Sequence, residues 1–406
     1  MVRDPTAFLR EEYQDLVDKA LNWKLRVLEG PSTPRCTVEG KKVIMLCSNN
    51  YLNLSNHPKI REAAKKAIDT HGAGSGSVRA IAGSMDIHFE LEEKLAEFKK
   101  TESSLVYQTG FAANAGLIPQ LAPGNRKDPA QQDLIISDQL NHGSIIDGVR
   151  LSYAERAVYN HCDTDDLRRV LEEAEKRDPP YRRILVITDG VFSMDGDIAP
   201  MDRIVKIAKD YGAFTYVDDA HGEGVIGKGA GIGAHFGIEG RVDVEMGTFS
   251  KAFGVVGGFV AGSQDLVNFA FNKSRTWLLS GSHPPQVAAA QLAAIEVMMS
   301  EPEHVENLWK NINYFKKAIL DMGFDHPITK ASETAITPVI IGAADKSKQF
   351  SDILYREGIF ALPIVFPMVS RDTGRIRTMM NAGLTTDDLD EALAAFEKAG
   401  KELKVI

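Results

Sequence analysis

The sequence predicts an α/β protein: a mostly parallel central sheet, a smaller C-terminal α+β part and a helical N-terminal segment. Three observations carry this. Between about residues 103 and 262, short apolar runs alternate with segments of helical periodicity, the pattern of a parallel sheet covered on both faces. After the break His283–Pro284–Pro285 come two long helical segments and then a second set of apolar runs. Residues 7–28 space their apolar side chains as a helix does and stop at Gly30–Pro31.

Taken in order, the first expected helix is 7–28. The run KKVIMLCS is extended and ends in the polar turn Asn49–Asn50. Helices are expected at 58–70 and 88–100, separated by HGAGSGSVRAIAGS, whose four glycines and three serines suit a loop rather than a helix interior. SLVYQ, DLIISD, ERAVY, RRILVITD, AFTYVDD and VDVEMG read as strands, with helices near 111–121, 143–151, 163–177 and 201–211. Helices at 286–299 and 301–322 precede ITPVIIG, GIFALPIVFP, RIRTMM and a last helix near 386–403. The expected division is an N-terminal helix and extended segment (1–57), a large domain (58–295) and a small C-terminal domain (296–406).

The chain has 406 residues, enough for two or three domains with a large core. Its 47 basic and 56 acidic residues give a formal charge of −9, which argues against a nucleic-acid-binding body. Apolar runs such as Ile184–Ile187 are far too short to span a membrane. The acidic N-terminus lacks the apolar segment of a secretory signal. Cys36, Cys47 and Cys162 have neither metal-ligand spacing nor the pattern of a disulfide framework. A reducing cytoplasm is the expected location.

Parallel strands joined by right-handed crossovers bring their C-terminal ends to one edge, where such sheets bind ligands. Asp218 and Asp219 end one strand, with His221 just beyond; Asp189 ends another; VDVEMGTFS delivers Lys251. Charged residues also collect in solvent-facing loops without any chemistry. Lys251 weighs against that reading. It follows two hydroxyl residues and precedes a glycine-rich turn, the setting of a lysine that forms a Schiff base with a planar ligand. A pyridoxal phosphate enzyme needs such a lysine, an acid at the ring nitrogen, a phosphate cup and a flat group against the ring. Asp218 is the candidate acid. Gly110 with the amides of Phe111 and Ala112 can form an anion site at a helix start, with Thr248 and Ser250 adding hydroxyls. His142, in DQLNHGS, is the candidate for the ring face.

The stretch GTFSKAFGVVGG resembles the cofactor-lysine motif of the α-oxoamine synthases, which are fold-type I pyridoxal phosphate enzymes. SNNYLNLSNHP, GSGSVRAIAGSMDIHFELE, YQTGFAAN, DQLNHGS, GVFSMDGDIAP, VDDAHGEGVIG and RIRTMMNAGLT resemble further family motifs, in the family's order over nearly the whole chain. The resemblance implies Lys251 as the Schiff-base lysine, Asp218 as the ring-nitrogen acid and His142 as the stacking imidazole. It places His221 and Ser193 near the phenolic oxygen, and Gly110, Phe111, Thr248 and Ser250 at the phosphate. It assigns Asn50 and Arg377 to the amino acid carboxylate. Relatives often carry Ser–Thr before the proline region, where a hydroxyl serves the partner subunit's phosphate. Here Gly281 follows Ser280, so Ser280 and Ser282 are both candidates, with Ser282 preferred. Relatives also carry a histidine where this chain reads Ala382–Gly383–Leu384–Thr385.

Within the family, CSNNYL and SVRAIAG look most like the glycine C-acetyltransferase branch, which implies condensation of glycine, or another small amino acid, with an acyl-CoA, acetyl-CoA first, to a 2-amino-3-keto acid and free CoA, in a homodimer whose active site lies at the subunit boundary. The alternatives are the 8-amino-7-oxononanoate synthase reaction (alanine plus pimeloyl-CoA, decarboxylating), another α-oxoamine synthase reaction, or an aminotransferase or aldolase of the same fold.

Overall fold

The computed structural model describes residues 4–19, 21–22 and 25–406. Three short N-terminal strands, β1 (Leu28–Glu29), β2 (Arg35–Val38) and β3 (Lys41–Met45), lead into helices Pro58–His71 and Asp86–Lys99. The central sheet follows: β4 (Ser103–Tyr107), β5 (Asp133–Asp138), β6 (Glu155–Tyr159), β7 (Arg183–Asp189), β8 (Phe214–Asp218), β9 (Val244–Thr248) and β10 (Gly258–Gly262). Helices Pro285–Ser300 and Glu303–Asp321 connect it to β11 (Ile336–Gly342), β12 (Ile359–Phe360), β13 (Pro363–Ile364) and β14 (Gly374–Met379), and helix Thr386–Glu402 closes the chain.

The seven central strands are ordered β4-β10-β9-β8-β7-β5-β6. β9, β8, β7, β5 and β6 pair in parallel; β10 runs antiparallel to both its neighbours. Successive residues point to opposite faces, and both faces are buried. Leu185 and Ile187 pack into one core, Val186 into the other, which is why these strands read as unbroken apolar runs. The expected α/β fold is therefore observed.

Three elements differ from expectation. The helix expected over 7–28 is formed over Ala7–Asp18, and Leu28–Glu29 instead pairs with β2, setting Leu28 opposite Val38. Residues 20, 23 and 24 of the expected helix lie outside the described residues. The loop 71–84 contains a π-helical turn at Arg79–Gly83, held because buried Arg79 donates two 2.9 Å bonds to Glu92. β10 was hidden in a stretch that reads as a glycine-rich turn. Its glycines serve close approach: a Cβ on Gly258 would lie 2.4 Å from the amide nitrogen of Gly110.

Residue 295 lies within helix Pro285–Ser300. β12 pairs with β3, so the N-terminal strands join a sheet with the C-terminal part. That part is packed around Phe315, Phe324, Phe350 and Phe396, whose ring centroids lie 5.6–6.4 Å apart. Among the described residues, no helix is long and apolar enough to cross a membrane.

Candidate active site

The parallel register fixes the site. Asp189 and Asp218 are direct neighbours across β7 and β8, and Asp218 is level with Met246 on β9. The three strand ends, with the loops beyond β4 and β5, enclose a cavity of about 200 Å³. Its wall includes Gly110, Phe111, His142, Ser193, Asp218, His221, Thr248, Ser250 and Lys251, nine of the twelve residues to which the resemblance gives a role, together with Asp189. Asn50, Ser282 and Arg377 lie outside that wall.

Each wall residue has a local cause. Thr109 caps helix Gly110–Leu121 by accepting from Ala112 N at 3.0 Å, so the first-turn amides of Gly110 and Phe111 remain at a helix N-terminus that favours an anion. Thr248 Oγ1 donates to Gly257 O (2.7 Å) and accepts from Ser250 N (3.2 Å), shaping the turn that leads to Lys251. Ser250 is exposed at the rim.

Asp218 and His142 are linked through residues that sequence reasoning missed. Asn114 donates to Asp218 Oδ2 (2.8 Å) and to Ser144 Oγ (2.9 Å), while its Oδ1 accepts from Tyr216 Oη at 2.7 Å. Both amide hydrogens of Asn114 are then used, so the Ser144 hydroxyl is free to donate to His142 Nδ1, 2.7 Å away. Ser144 N also points to Nδ1 at 3.2 Å. These donors define a neutral imidazole with its proton on Nε2. Burial agrees, lowering the His142 pKa; Asp218 opposes this, and Lys251 and Arg377 add to it. Asp189 accepts from His142 N at 3.0 Å. Its pKa is pushed well up by burial and by the neighbouring Asp218 carboxylate.

His221 lies 2.7 Å through Nδ1 from the buried Tyr51 hydroxyl. Burial, and then the Lys251 and Arg377 cations, hold its pKa far below the ordinary value, so it is neutral. Burial is also the main influence on Lys251. It brings the amine down from 10.5 to about 8, against the opposing pull of Asp218 and Asp189.

Arg377, on β14, donates to Ser193 O at 3.0 Å and so bridges the C-terminal sheet β11-β14-β13 to the loop after β7. Asn50 Nδ2 donates to Ser32 O and Ser55 Oγ at 3.0 and 2.8 Å, which engages both its hydrogens within the chain. Ser282 Oγ contacts Ser75 Oγ and lies 3.2 Å from Ser77 O. Asn114 and Tyr51 gave little signal because their partners Asp218 and His221 are remote in sequence, and Ser144 because its hydroxyl sits beside His142 as an ordinary helix-start residue; the motifs YQTGFAAN, SNNYLNLSNHP and DQLNHGS contain the three.

A helix N-terminus, a buried acid, a neutral imidazole and a weakly basic amine around one small cavity fit pyridoxal phosphate: anion, ring nitrogen, ring face and aldehyde each meet a suitable group. The comparisons agree. Residues 41–396 match the family model for aminotransferase class I and II. Serine palmitoyltransferase structures superimpose over the whole chain: one carrying pyridoxal phosphate at 31% identity with a TM-score of 0.91, and that of Sphingomonas wittichii at 30% and 0.91, each covering 100% of both chains. In sequence, the 8-amino-7-oxononanoate synthase of Symbiobacterium thermophilum is 52% identical over 99% of each chain, and that of Bacillus subtilis 48% over 98% of each.

These relatives overturn the expected likeness to glycine C-acetyltransferase, and with it the reading of glycine plus acetyl-CoA. The two motifs that suggested it do scaffolding. SVRAIAG forms the turn locked by Arg79–Glu92, and CSNNYL contains the Asn50 and Tyr51 contacts.

The lowered Lys251 value has a direct consequence. In the cofactor-free protein, an amine-selective acylating reagent followed by peptide mapping should modify Lys251 with a midpoint near pH 8, whereas exposed lysines follow their ordinary value near 10.5. Modification of Lys251 in step with the exposed lysines would contradict the burial argument. The fold, the pyridoxal phosphate site and the whole-length relatives place the chain in the α-oxoamine synthase family of fold-type I enzymes, as a pyridoxal phosphate-dependent acyltransferase.

Proposed function

We propose that this enzyme condenses alanine with pimeloyl-CoA, releasing coenzyme A and carbon dioxide and forming 8-amino-7-oxononanoate. The observation that carries this reading is identity of 48–52% over at least 98% of the chain to proteins bearing that synthase's name. When bound, pyridoxal phosphate supplies an electron sink for negative charge at the amino acid Cα.

The residues of the chain take these roles in the proposal. Lys251 Nζ holds the cofactor at rest and takes the Cα proton during turnover, tasks suited to an amine near 8. Asp218, fixed by Asn114 and by Ala220 N (3.1 Å to Oδ1), keeps a proton on the ring nitrogen. His142, neutral and held by Ser144, would lie against the cofactor ring. His221 and Ser193 would serve the cofactor's phenolic oxygen. Gly110, Phe111, Thr248 and Ser250 receive the phosphate, and Arg377 offers its planar fork to the substrate carboxylate. Asn50, the other residue assigned to that carboxylate, has both side-chain amide hydrogens on Ser32 and Ser55, which leaves its part in carboxylate binding to be tested.

A homodimer belongs to the same reading. Helix Ala7–Asp18 has no buried residue and leaves Phe8, Leu9, Tyr13 and Leu16 43–60% exposed, an apolar face suited to a second copy. Ser282, outside its own cavity wall, would serve the partner subunit's phosphate. Three unpaired cysteines accord with a reducing cytoplasm.

Turnover of alanine, glycine and serine against pimeloyl-, acetyl-, succinyl- and palmitoyl-CoA, followed by thiol release and product mass, tests the substrates. Alanine with pimeloyl-CoA should exceed every other pair by about tenfold or more in specificity constant; a better pair elsewhere in the matrix would displace the proposal. Sedimentation should give an active species of twice the 44.5 kDa chain mass, and a fully active monomer would refute the shared site.

A further inference from the structure

Behind the acid wall of the cavity lies an ionic group that the proposed reaction does not use. Lys99 ends helix Asp86–Lys99 and is buried. Its Nζ lies 3.0 Å from Glu223 Oε1 and 3.0 Å from Glu245 Oε2, and donates to Ala230 O at 3.3 Å. Asp219, 0% exposed, is the third carboxylate. Its Oδ2 accepts from Ile232 N at 2.6 Å, while Oδ1 has no hydrogen-bond partner among the described residues. The ammonium thus pairs with two carboxylates and feels the charge of a third, Asp219, in a region closed to water.

The space for this group is made by absent side chains. A Cβ on Gly222 would sit 2.0 Å from Asp219 Oδ1, one on Gly231 2.1 Å from Asp219 Oδ2, and one on Gly247 2.2 Å from Glu223 Oε2. Burial drives the Glu223 carboxyl up to about 7 against the attraction of Lys99. Buried ion groups add little net stability compared with apolar packing, so stability alone is a poor reason for such an arrangement.

Its attachment points suggest a better one. Asp219 directly follows Asp218, Glu223 lies two residues after His221, and Glu245 is on β9, which runs through Thr248 to Lys251. Asp219 N also donates to Met246 O at 2.8 Å. The group therefore joins the end of one helix to the two segments that carry the acid, the imidazole and the amine of the cavity. Its charge reaches the cavity too: Glu223 is among the carboxylates that favour the protonated Lys251 amine.

We propose that Lys99, Asp219, Glu223 and Glu245 form a positioning group that holds Asp218, His221 and Lys251 in mutual register and sets the charge around the Lys251 amine. The proposal rests on reading the cavity as the pyridoxal phosphate site. It concerns positioning residues only, since none of the four lines the cavity.

The test uses the holoenzyme with Glu223→Gln, which keeps the side chain's shape and removes its charge. The readout is the pH midpoint of the bound cofactor's visible absorption. A negative charge removed near Lys251 should move that midpoint down by about half a pH unit. Lys99→Met, which leaves three carboxylates without their cation, should weaken cofactor binding about tenfold or more. Adding Glu223→Gln to it should recover part of that loss. If Lys99→Met does not fold, the Glu223→Gln titration decides alone. An unchanged midpoint with a normal visible band, whatever happens to the melting temperature, would overturn the positioning proposal. Absence of a visible band from the wild-type enzyme would instead overturn the reading of the cavity.

Discussion

The parallel register of β7, β8 and β9 is the constraint on which the rest of the structure depends. Asp189 opposite Asp218, and Asp218 level with Met246, bring carboxylates from distant sequence to one sheet edge. Burial at that edge makes their charge costly unless it is opposed. Asp218 meets that cost with bonds from Asn114 and the Ala220 amide, and the same burial lowers the basicity of Lys251 and keeps both cavity histidines neutral. The same environment that penalises charge leaves an amine able to act as a nucleophile and base near neutral pH.

The sheet also explains how two parts of the chain serve one cavity. β14 belongs to the C-terminal sheet, yet Arg377 reaches the Ser193 carbonyl and Arg375 pairs with Asp195 in the loop after β7. β12 ties the N-terminal strands into the same region. The cavity wall is therefore built on the central sheet, while arginines of the C-terminal sheet brace the loop after β7.

The legible parts of the sequence were those governed by local rules. Strands buried on both faces read as apolar runs, and Asp218, His221 and Lys251 stood out because they follow such runs directly. β10 escaped because close packing against Gly110 requires glycine, and glycine reads as a turn. Asn114 and Tyr51 escaped because their partners are 104 and 170 residues away, Asp218 and His221 respectively. Lys99 escaped for the same reason: a lysine ending an amphipathic helix reads as a solvated one. The reaction branch was misread because acyl length depends on the shape of a pocket assembled by the whole fold, which two short motifs do not specify.

The central claim is that the Lys251 amine, opposite Asp218, is the group that holds pyridoxal phosphate. Borohydride reduction of the holoenzyme, followed by digestion and mass spectrometry, tests it most directly. The account expects the phosphopyridoxyl mass on the single peptide that contains Lys251, and its loss in Lys251→Ala; the same mass on a peptide carrying any other lysine would contradict it.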